Sequence, residues 1–405
     1  MVGCGVAGPA AATFLRRRGW NVRVFERAPV LGPVGAGLLV QPTGQMVLAR
    51  LGVLDEVRRR AARVERLLGV TVAGRRVMGL EYHDLAPGLH GLGVTRGALF
   101  GALLTALQES GATVEAGREI RSMRDEQHGA FLTDTTGREE GPFELVVVCD
   151  GARSALRPVR AGARAGTDGT AYAWGAFWCV LADEQEEFAG VLGQVYDGTG
   201  KMVGFMPSGR PDGIGAATVS VFWSVRTAEF AAWRARPIDD LAAAMGAMQL
   251  GAKGILKQLL SWDQVVSAQY HDACARPSGS GRVVFLGDAS HAMSPQLGQG
   301  ANLALWDAWV LSQMVPEGGH ARDDGGAAIA ASVARFTRDR AAHTEFYRRA
   351  SRWLTPWFQS DHEGLAVLRD ALLRPLSRVA WVRRQMLLSL AGVKMGVFGE
   401  VEGWK

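Results

Sequence analysis

The apolar positions of this chain fall into distinct textures. Two short unbroken runs, Leu145-Val146-Val147-Val148-Cys149 and Val283-Val284-Phe285-Leu286, predict strands buried on both faces. Each run leads into an acid beside a glycine, Asp150-Gly151 in the first case and Gly287-Asp288 in the second. A helix-like stretch from Ala301 to Met314 follows the second. Near the start, Pro9 to Arg18 reads as a helix that Gly19 terminates, and Asn21 to Phe25 as a strand. Residues 31–45 are rich in Gly and Pro and read as a loop. Helical patterns return at Gln45 to Arg50, Gly52 to Ala62 and Thr95 to Gln108. From Val70 to His83 apolar and polar residues roughly alternate, as in an antiparallel strand pair.

From Ala171 to about Val225 the texture changes. Strand-like runs rich in aromatics are separated by turns at Asp197-Gly198 and Pro207-Ser208-Gly209, which predicts an antiparallel sheet. Residues 228–260 read as helical, as does the chain beyond Ala331. The predicted fold is α/β: a Rossmann-like nucleotide-binding domain interleaved with a mixed or antiparallel sheet domain, with C-terminal helices appended. The first domain is assigned 1–70, 95–165 and 270–330, the sheet domain 71–94 and 166–269, and the helical region 331–405.

Composition narrows the function. The 405 residues are 48% apolar and 21% charged, as in a folded globular protein. No apolar run reaches the roughly 18 residues of a spanning helix. The net charge of +5 comes from dispersed arginines; this suits attraction of an anionic cofactor and argues against a nucleic-acid partner. The four cysteines, Cys4, Cys149, Cys179 and Cys274, form no C-x-x-C pair, so neither a metal site nor a disulfide framework is expected. With the N-terminus passing straight into a glycine motif, a cytoplasmic location is expected.

Gly3, Gly5 and Gly8 fit G-x-G-x-x-G, and Glu26 stands at the end of the next strand, followed by Arg27. In such a unit the glycines admit a pyrophosphate to the helix N-terminus, and the acid takes the ribose hydroxyls. Only Met1 and Val2 precede Gly3, so the first strand is expected to be short, with a loosely anchored glycine turn. Arg96, in the first turn of its helix, is open to two readings: a cofactor contact or a solvated arginine. Asp150 caps a helix or binds a ligand; Arg153 and Arg157 contact phosphate or lie on the surface. The aromatics Trp174, Trp178, Tyr196, Phe205 and Trp223 form a packed sheet face or line a pocket for a flat ligand.

Three motifs in one order, GCGVAG with Glu26, DGARSALR, and GDASHAMSPQLGQGAN, resemble the single-component (group A) FAD-dependent aromatic hydroxylases, the p-hydroxybenzoate hydroxylase family, over nearly the whole chain. The resemblance implies that Gly3, Gly5, Gly8, Glu26, Arg27, Arg96, Asp150 and Asp288 contact FAD. It places Pro295 beside the isoalloxazine and Gly298, Gly300, Ala301 and Asn302 at its pyrimidine edge. It further implies NADPH or NADH as co-substrate and O2 as oxidant. Oxygen transfer to an aromatic would proceed through a flavin C4a-hydroperoxide at Pro295 and Gly298, with His291 structural. No general base stands out; Tyr196, His83, His271 and Tyr270 are candidates because they titrate near the sheet.

Epoxidation, Baeyer–Villiger oxidation and N-hydroxylation would use the same site. Halogenation is disfavoured, since no lysine precedes Lys201. A non-enzymatic flavin-binding scaffold is the alternative of a different class, and the short first strand favours it. The stretch Leu365 to Met395, with Arg369, Arg374, Arg378, Arg383, Arg384 and Lys394, either packs on its own core or offers a peripheral membrane or partner surface.

Overall fold

The two unbroken apolar runs lie side by side. In the computed structural model, which describes residues 1–32, 35–157, 170–318, 326–396, 398–402 and 404, Val146–Val148 pairs in parallel with Val283–Phe285. Val2 bridges in parallel to both Val148 and Phe25, and Arg23–Glu26 continues the sheet to Thr113–Ala116. The first strand is short, yet it is bonded on both sides. Val2 N–H donates to the Val147 carbonyl (2.8 Å), Gly3 N–H to Phe25 (2.8 Å), and Cys149 N–H to Val2 (2.6 Å). The expected loose anchoring is therefore replaced by a ladder that satisfies these backbone groups. The helix read after Asp150 starts at Leu156, and its course after Arg157, like the boundary at 165–166, lies outside the described residues.

The helices Ala7–Arg17, Arg96–Glu109 and Gly300–Met314 cover one face of this parallel sheet, with Ala10, Leu99 and Leu305 buried against Val147 and Val284. Ala10, Ala11 and Ala12 are fully buried; pointing in successive directions round the first helix, their small side chains let its surroundings approach closely on more than one side. The other face carries an antiparallel meander, Ile120–Glu126, Gly129–Asp134 and Glu139–Phe143. Its Ile120, Met123 and Leu132 pack on Val146, Val148 and Phe285. This meander goes beyond what the sequence pattern predicted.

A second sheet runs in the spatial order Val266–Cys274, Thr170–Ala182, Thr218–Arg226, Lys201–Gly209, Gly190–Asp197, Ala62–Thr71, Gly91–Thr95, Gly37–Val40, with Arg76–Glu81 also paired to Ala62–Thr71. Its pairs are antiparallel except Gly190–Asp197 with Ala62–Thr71, so the sheet is mixed. The α/β class with interleaved sheet and C-terminal helices is as expected, but element ends differ. The predicted loop 31–45 contains the strand Gly37–Val40 and the start of the helix Pro42–Leu51, whose first-turn proline needs no N–H partner. Ala62, read as a helix end, opens a ten-residue strand.

One face of the second sheet packs on the helix Ile238–Met248 through Leu241 and Met245. The other packs on the end of the 32-residue helix Ala327–Phe358, through Leu354, Trp357 and Phe358. Period-two alternation decides which aromatic goes where.

Candidate active site

The glycine turn is built to exclude side chains on one side and leave space on the other. Gly3 has φ +96°, and a Cβ there would stand 2.9 Å from Asp150 Cα. A Cβ on Gly8 would lie 3.2 Å from the Gly3 carbonyl carbon and closer still to its oxygen. A Cβ on exposed Gly5 would meet nothing within 4 Å. The helix Ala7–Arg17 that follows has no side-chain cap and no acid in its first turn. Its leading N–H groups therefore offer partial positive charge to an incoming anion. Glu26 accepts from Cys4 N–H (2.7 Å) and Ala28 N–H (2.9 Å), which fixes its carboxylate beside the turn. Arg27 is exposed next to it.

Asp150 follows Cys149, the residue hydrogen-bonded to Val2, so it reaches the same turn. One of its carboxylate oxygens is buried with no partner, and burial raises its pKa against the opposing pull of Ser154. A buried acceptor left unsatisfied calls for a donor that the protein itself does not supply. Arg157, by contrast, is consumed structurally. It is buried and donates to the carbonyls of Asp288 (3.1 Å), Ala289 (2.8 Å) and Ala152. Arg153 is exposed.

At the end of Val283–Phe285, Gly287 adopts φ +57°, and a Cβ there would press on Ala304 at 3.0 Å. Asp288 is exposed at the head of the next turn; an added Cβ on Gly300 would lie 3.6 Å from its Oδ1. Pro295 and Gly298 are exposed, and Gly298 takes φ +61° with open space where a side chain would be. The helix Gly300–Met314 then starts without a side-chain cap. The Asn302 side chain is spent on the protein. Its amide donates to Leu39 O (3.1 Å) and Gly298 O (3.0 Å), and its Oδ1 accepts from Gln41 N–H (2.8 Å). Gly300, Ala301 and Asn302 thus offer the backbone of the helix start, while the Asn302 side chain bolts that start to the edge strand of the second sheet.

A buried polar chain holds this loop from behind. Asp307 Oδ2 accepts from Gly287 N–H (2.9 Å) and from His291 Nε2 (2.6 Å), and its Oδ1 accepts from Arg340 Nε (2.8 Å). Arg340 donates onward to His343 Nδ1, and His343 Nε2 donates to Gly392 O (2.9 Å). Burial alone would raise the Asp307 carboxyl; the facing His291 and Arg340 outweigh it and hold it well below the usual carboxylate range. Burial, reinforced by Arg340, holds His343 neutral, far below the ordinary histidine pKa. His291 sits here as a brace of the turn. Asp307, Arg340 and His343 escaped the sequence reading; Asp307, the one charged residue of the mostly apolar helix Gly300–Met314, was their only local signal.

On the sheet side the structure separates the five candidate aromatics. Trp178 is half-buried, lies 4.7 Å from the Phe222 ring and donates from Nε1 to Tyr270 Oη (3.2 Å). The Tyr270 phenol feels the Arg96 charge, and burial pushes it up to about 12. Arg96 is exposed, and an added Cβ on Gly35 would lie 2.9 Å from its Cδ. Phe205 and Trp223 lie on the opposite face, packed on Leu241 and Met245, because alternation along each strand turns them away. Of the two readings, packed sheet face or pocket wall, these two residues take the first. Tyr196 is buried under the C-terminal helices, with the Arg369 guanidinium 4.7 Å from its ring centroid. Trp174 packs near Arg226, 5.5 Å from ring centroid to guanidinium. Of the candidate bases, Tyr196 and Tyr270 are held protonated by burial. His83 is exposed beside Glu81 and Asp84. Tyr172, unremarked as a site residue, is half-buried, and burial raises its phenol pKa.

The arrangement offers an anion seat at the glycine turn, an acid for hydroxyls at Glu26, a second helix start behind Gly298, and an aromatic wall carrying a phenol. Comparison with known proteins accords with this. A family model described as an FAD binding domain matches residues 1–325. The chain is 27% identical over 384 residues to the 2-heptyl-3-hydroxy-4(1H)-quinolone synthase of Pseudomonas aeruginosa, covering 88% of this chain and 90% of that one. It is 31% identical over 329 residues to the 3-amino-4-hydroxybenzoate 2-monooxygenase of Streptomyces cremeus, covering 77% and 76%. Among solved structures, Klebsiella pneumoniae HpxO complexed with FAD and uric acid superposes with a TM-score of 0.76 at 22% identity, covering 96% of both chains.

Proposed function

The chain belongs to the FAD-binding-domain family, and from that premise we propose that it is an FAD-dependent monooxygenase that hydroxylates an apolar aromatic or polycyclic small molecule with NADPH or NADH and O2. The observation that carries the reading is that the glycine turn, the unsatisfied Asp150 oxygen, the open faces of Gly5 and Gly298 and an uncapped helix start belong to one set of connected loops. The relatives named quinolone synthase and aminohydroxybenzoate monooxygenase support both the enzyme class and a nitrogen-bearing aromatic substrate.

The residues fit FAD. Gly3, Gly5 and Gly8 with the start of Ala7–Arg17 would hold the pyrophosphate, Glu26 the ribose hydroxyls, and Asp150 and Asp288 the hydroxylated linker. When bound, FAD would supply electron transfer from the nicotinamide and activation of O2. The chain contributes the rest. The backbone N–H groups at Gly300 to Asn302 favour negative charge on the ring they face. Pro295 offers a stiff wall without an N–H. Trp178 and Phe222 supply a flat apolar surface, which orients an aromatic ring and excludes water. Tyr270, protonated at neutral pH, donates a hydrogen bond to a polar substituent.

This reading is tested by NADPH oxidation with purified, FAD-supplemented protein and a panel of quinolone, aminohydroxybenzoate and purine compounds. A productive member accelerates oxidation and gives hydroxylated product; no acceleration and no product with any flavin-loaded preparation would sink the proposal. With that substrate, Tyr270→Phe is expected to raise KM about fivefold, the value of one lost hydrogen bond. FAD content should not change, because Tyr270 lies on the sheet side. An unchanged KM would remove Tyr270 from the substrate wall.

A further inference from the structure

The C-terminal helices leave an apolar stripe uncovered beside a cluster of unpaired arginines. Along the helix Glu363–Leu376, Leu368, Leu372 and Leu376 recur at four-residue spacing, which aligns them on one side of the helix. With Val367, Val379 and Trp381 they are between 43% and 70% exposed. Single exposed apolar residues are ordinary, but three leucines aligned on one side of a helix, with three more exposed apolar residues nearby in sequence, mark a contact surface.

The same stretch closes a cavity of about 180 Å³ against the hairpin of the second sheet. It is lined by Arg76, Gly79, Arg374, Ser377, Arg378 and Arg383. Arg383 is neutralised: it donates from Nε to Asp84 Oδ2 (2.8 Å) and from Nη1 to Gly79 O (3.2 Å). Arg76, Arg374 and Arg378 are exposed and form no ion pair among the described residues. Three free guanidinium groups around one small cavity match the planar, multidentate geometry of a phosphodiester.

We infer that this face docks peripherally on a bilayer of anionic phospholipid, the arginine-lined cavity taking a headgroup phosphate while the Leu368–Leu376 stripe and Trp381 enter the interface. Charge complementarity selects the occupant. A two-fold contact between copies centred on the cavity would bring like charges together, whereas an anionic lipid surface neutralises them. Apolar side chains alternating with arginines, and a tryptophan at the edge, are the composition that interfacial helices use. No helix among the described residues is long and apolar enough to cross a membrane, so the contact lies in the interface plane. Such docking would place the enzyme where an apolar aromatic substrate partitions.

The full-length, FAD-supplemented protein is sedimented with phosphatidylcholine vesicles and with vesicles containing phosphatidylglycerol. Binding is expected only to the second, and to weaken as salt rises. Arg374→Gln and Arg378→Gln should each weaken it about fivefold. Leu372→Ser with Leu376→Ser should weaken it independently of salt. Circular dichroism and FAD content serve as fold controls and should match the unaltered chain. Equal binding to both vesicle types, binding to neither, or binding abolished by millimolar inorganic phosphate would overturn the proposal. So would a concentration-dependent dimer that Leu372→Ser with Leu376→Ser dissolves.

Discussion

Asp307→Ala is expected to destabilise the folded chain by about 3–5 kcal/mol, the cost of leaving buried charge without its partner. The substitution strips Arg340, His291 and the Gly287 N–H of one shared acceptor, at a site where the Asp307, Arg340 and His291 side chains are almost fully buried. Urea unfolding of Asp307→Ala beside the parent measures the loss, and a change below about 1 kcal/mol would show that the network is not a brace. The pH dependence follows from the same groups. The folded Asp307 pKa is depressed, so its contribution is present above the unfolded carboxylate value of about 3.9 and is lost as pH falls below it. His343 is also depressed, so the unfolded chain takes up a proton that the folded chain refuses. Stability should therefore fall by about 1.4 kcal/mol per pH unit below about pH 6.5, and His343→Gln should flatten that slope.

Gly5→Ala and Gly8→Val are expected to separate the two duties of the glycine turn. A methyl at Gly5 meets nothing in the protein, so the stability of the FAD-free chain should not change. It projects instead into the space assigned to the pyrophosphate, and FAD affinity should fall roughly ten- to hundredfold. A valine at Gly8 collides with the Gly3 carbonyl and should cost about 1–3 kcal/mol of fold stability in addition to cofactor binding. Thermal shift with and without FAD reads both quantities. Saturation at about 100 Kd adds about 2.7 kcal/mol to a chain that binds. Unchanged FAD stabilisation in Gly5→Ala would show that the cofactor lies elsewhere.

What could be read from the sequence was local. The runs at 145–149 and 283–286 named their own strands, because residues buried on both faces admit no polar positions. The spacing of Gly3, Gly5 and Gly8 stated a backbone requirement, which the structure explains atom by atom. Long-range side-chain pairings were not readable. Asp307 and Arg340 are 33 residues apart, and their meeting depends on how the helix Ala327–Phe358 lies across the loop. The two readings open for Phe205 and Trp223, packed sheet face or pocket wall, could not be separated from aromatic content alone, because alternation sends neighbouring residues to opposite faces and the helix Ile238–Met248 covers the face that these two share. Asn302 and Arg157 stand in motifs associated with cofactors, yet their side chains serve the backbone. A side-chain donor near a loop end can serve a cofactor or the backbone, and only the three-dimensional partners decide.

Isotope labelling tests most directly the proposed oxygen transfer from O2 to an aromatic at the Pro295–Gly298 loop. The FAD-supplemented chain is incubated with NADPH, a stimulating aromatic and heavy-isotope dioxygen, and the product is weighed by mass spectrometry. The expected result is one labelled oxygen atom in the hydroxylated product, with nicotinamide consumed in equal amount. An unlabelled product, or nicotinamide oxidation that yields only hydrogen peroxide with every aromatic tried, would contradict it.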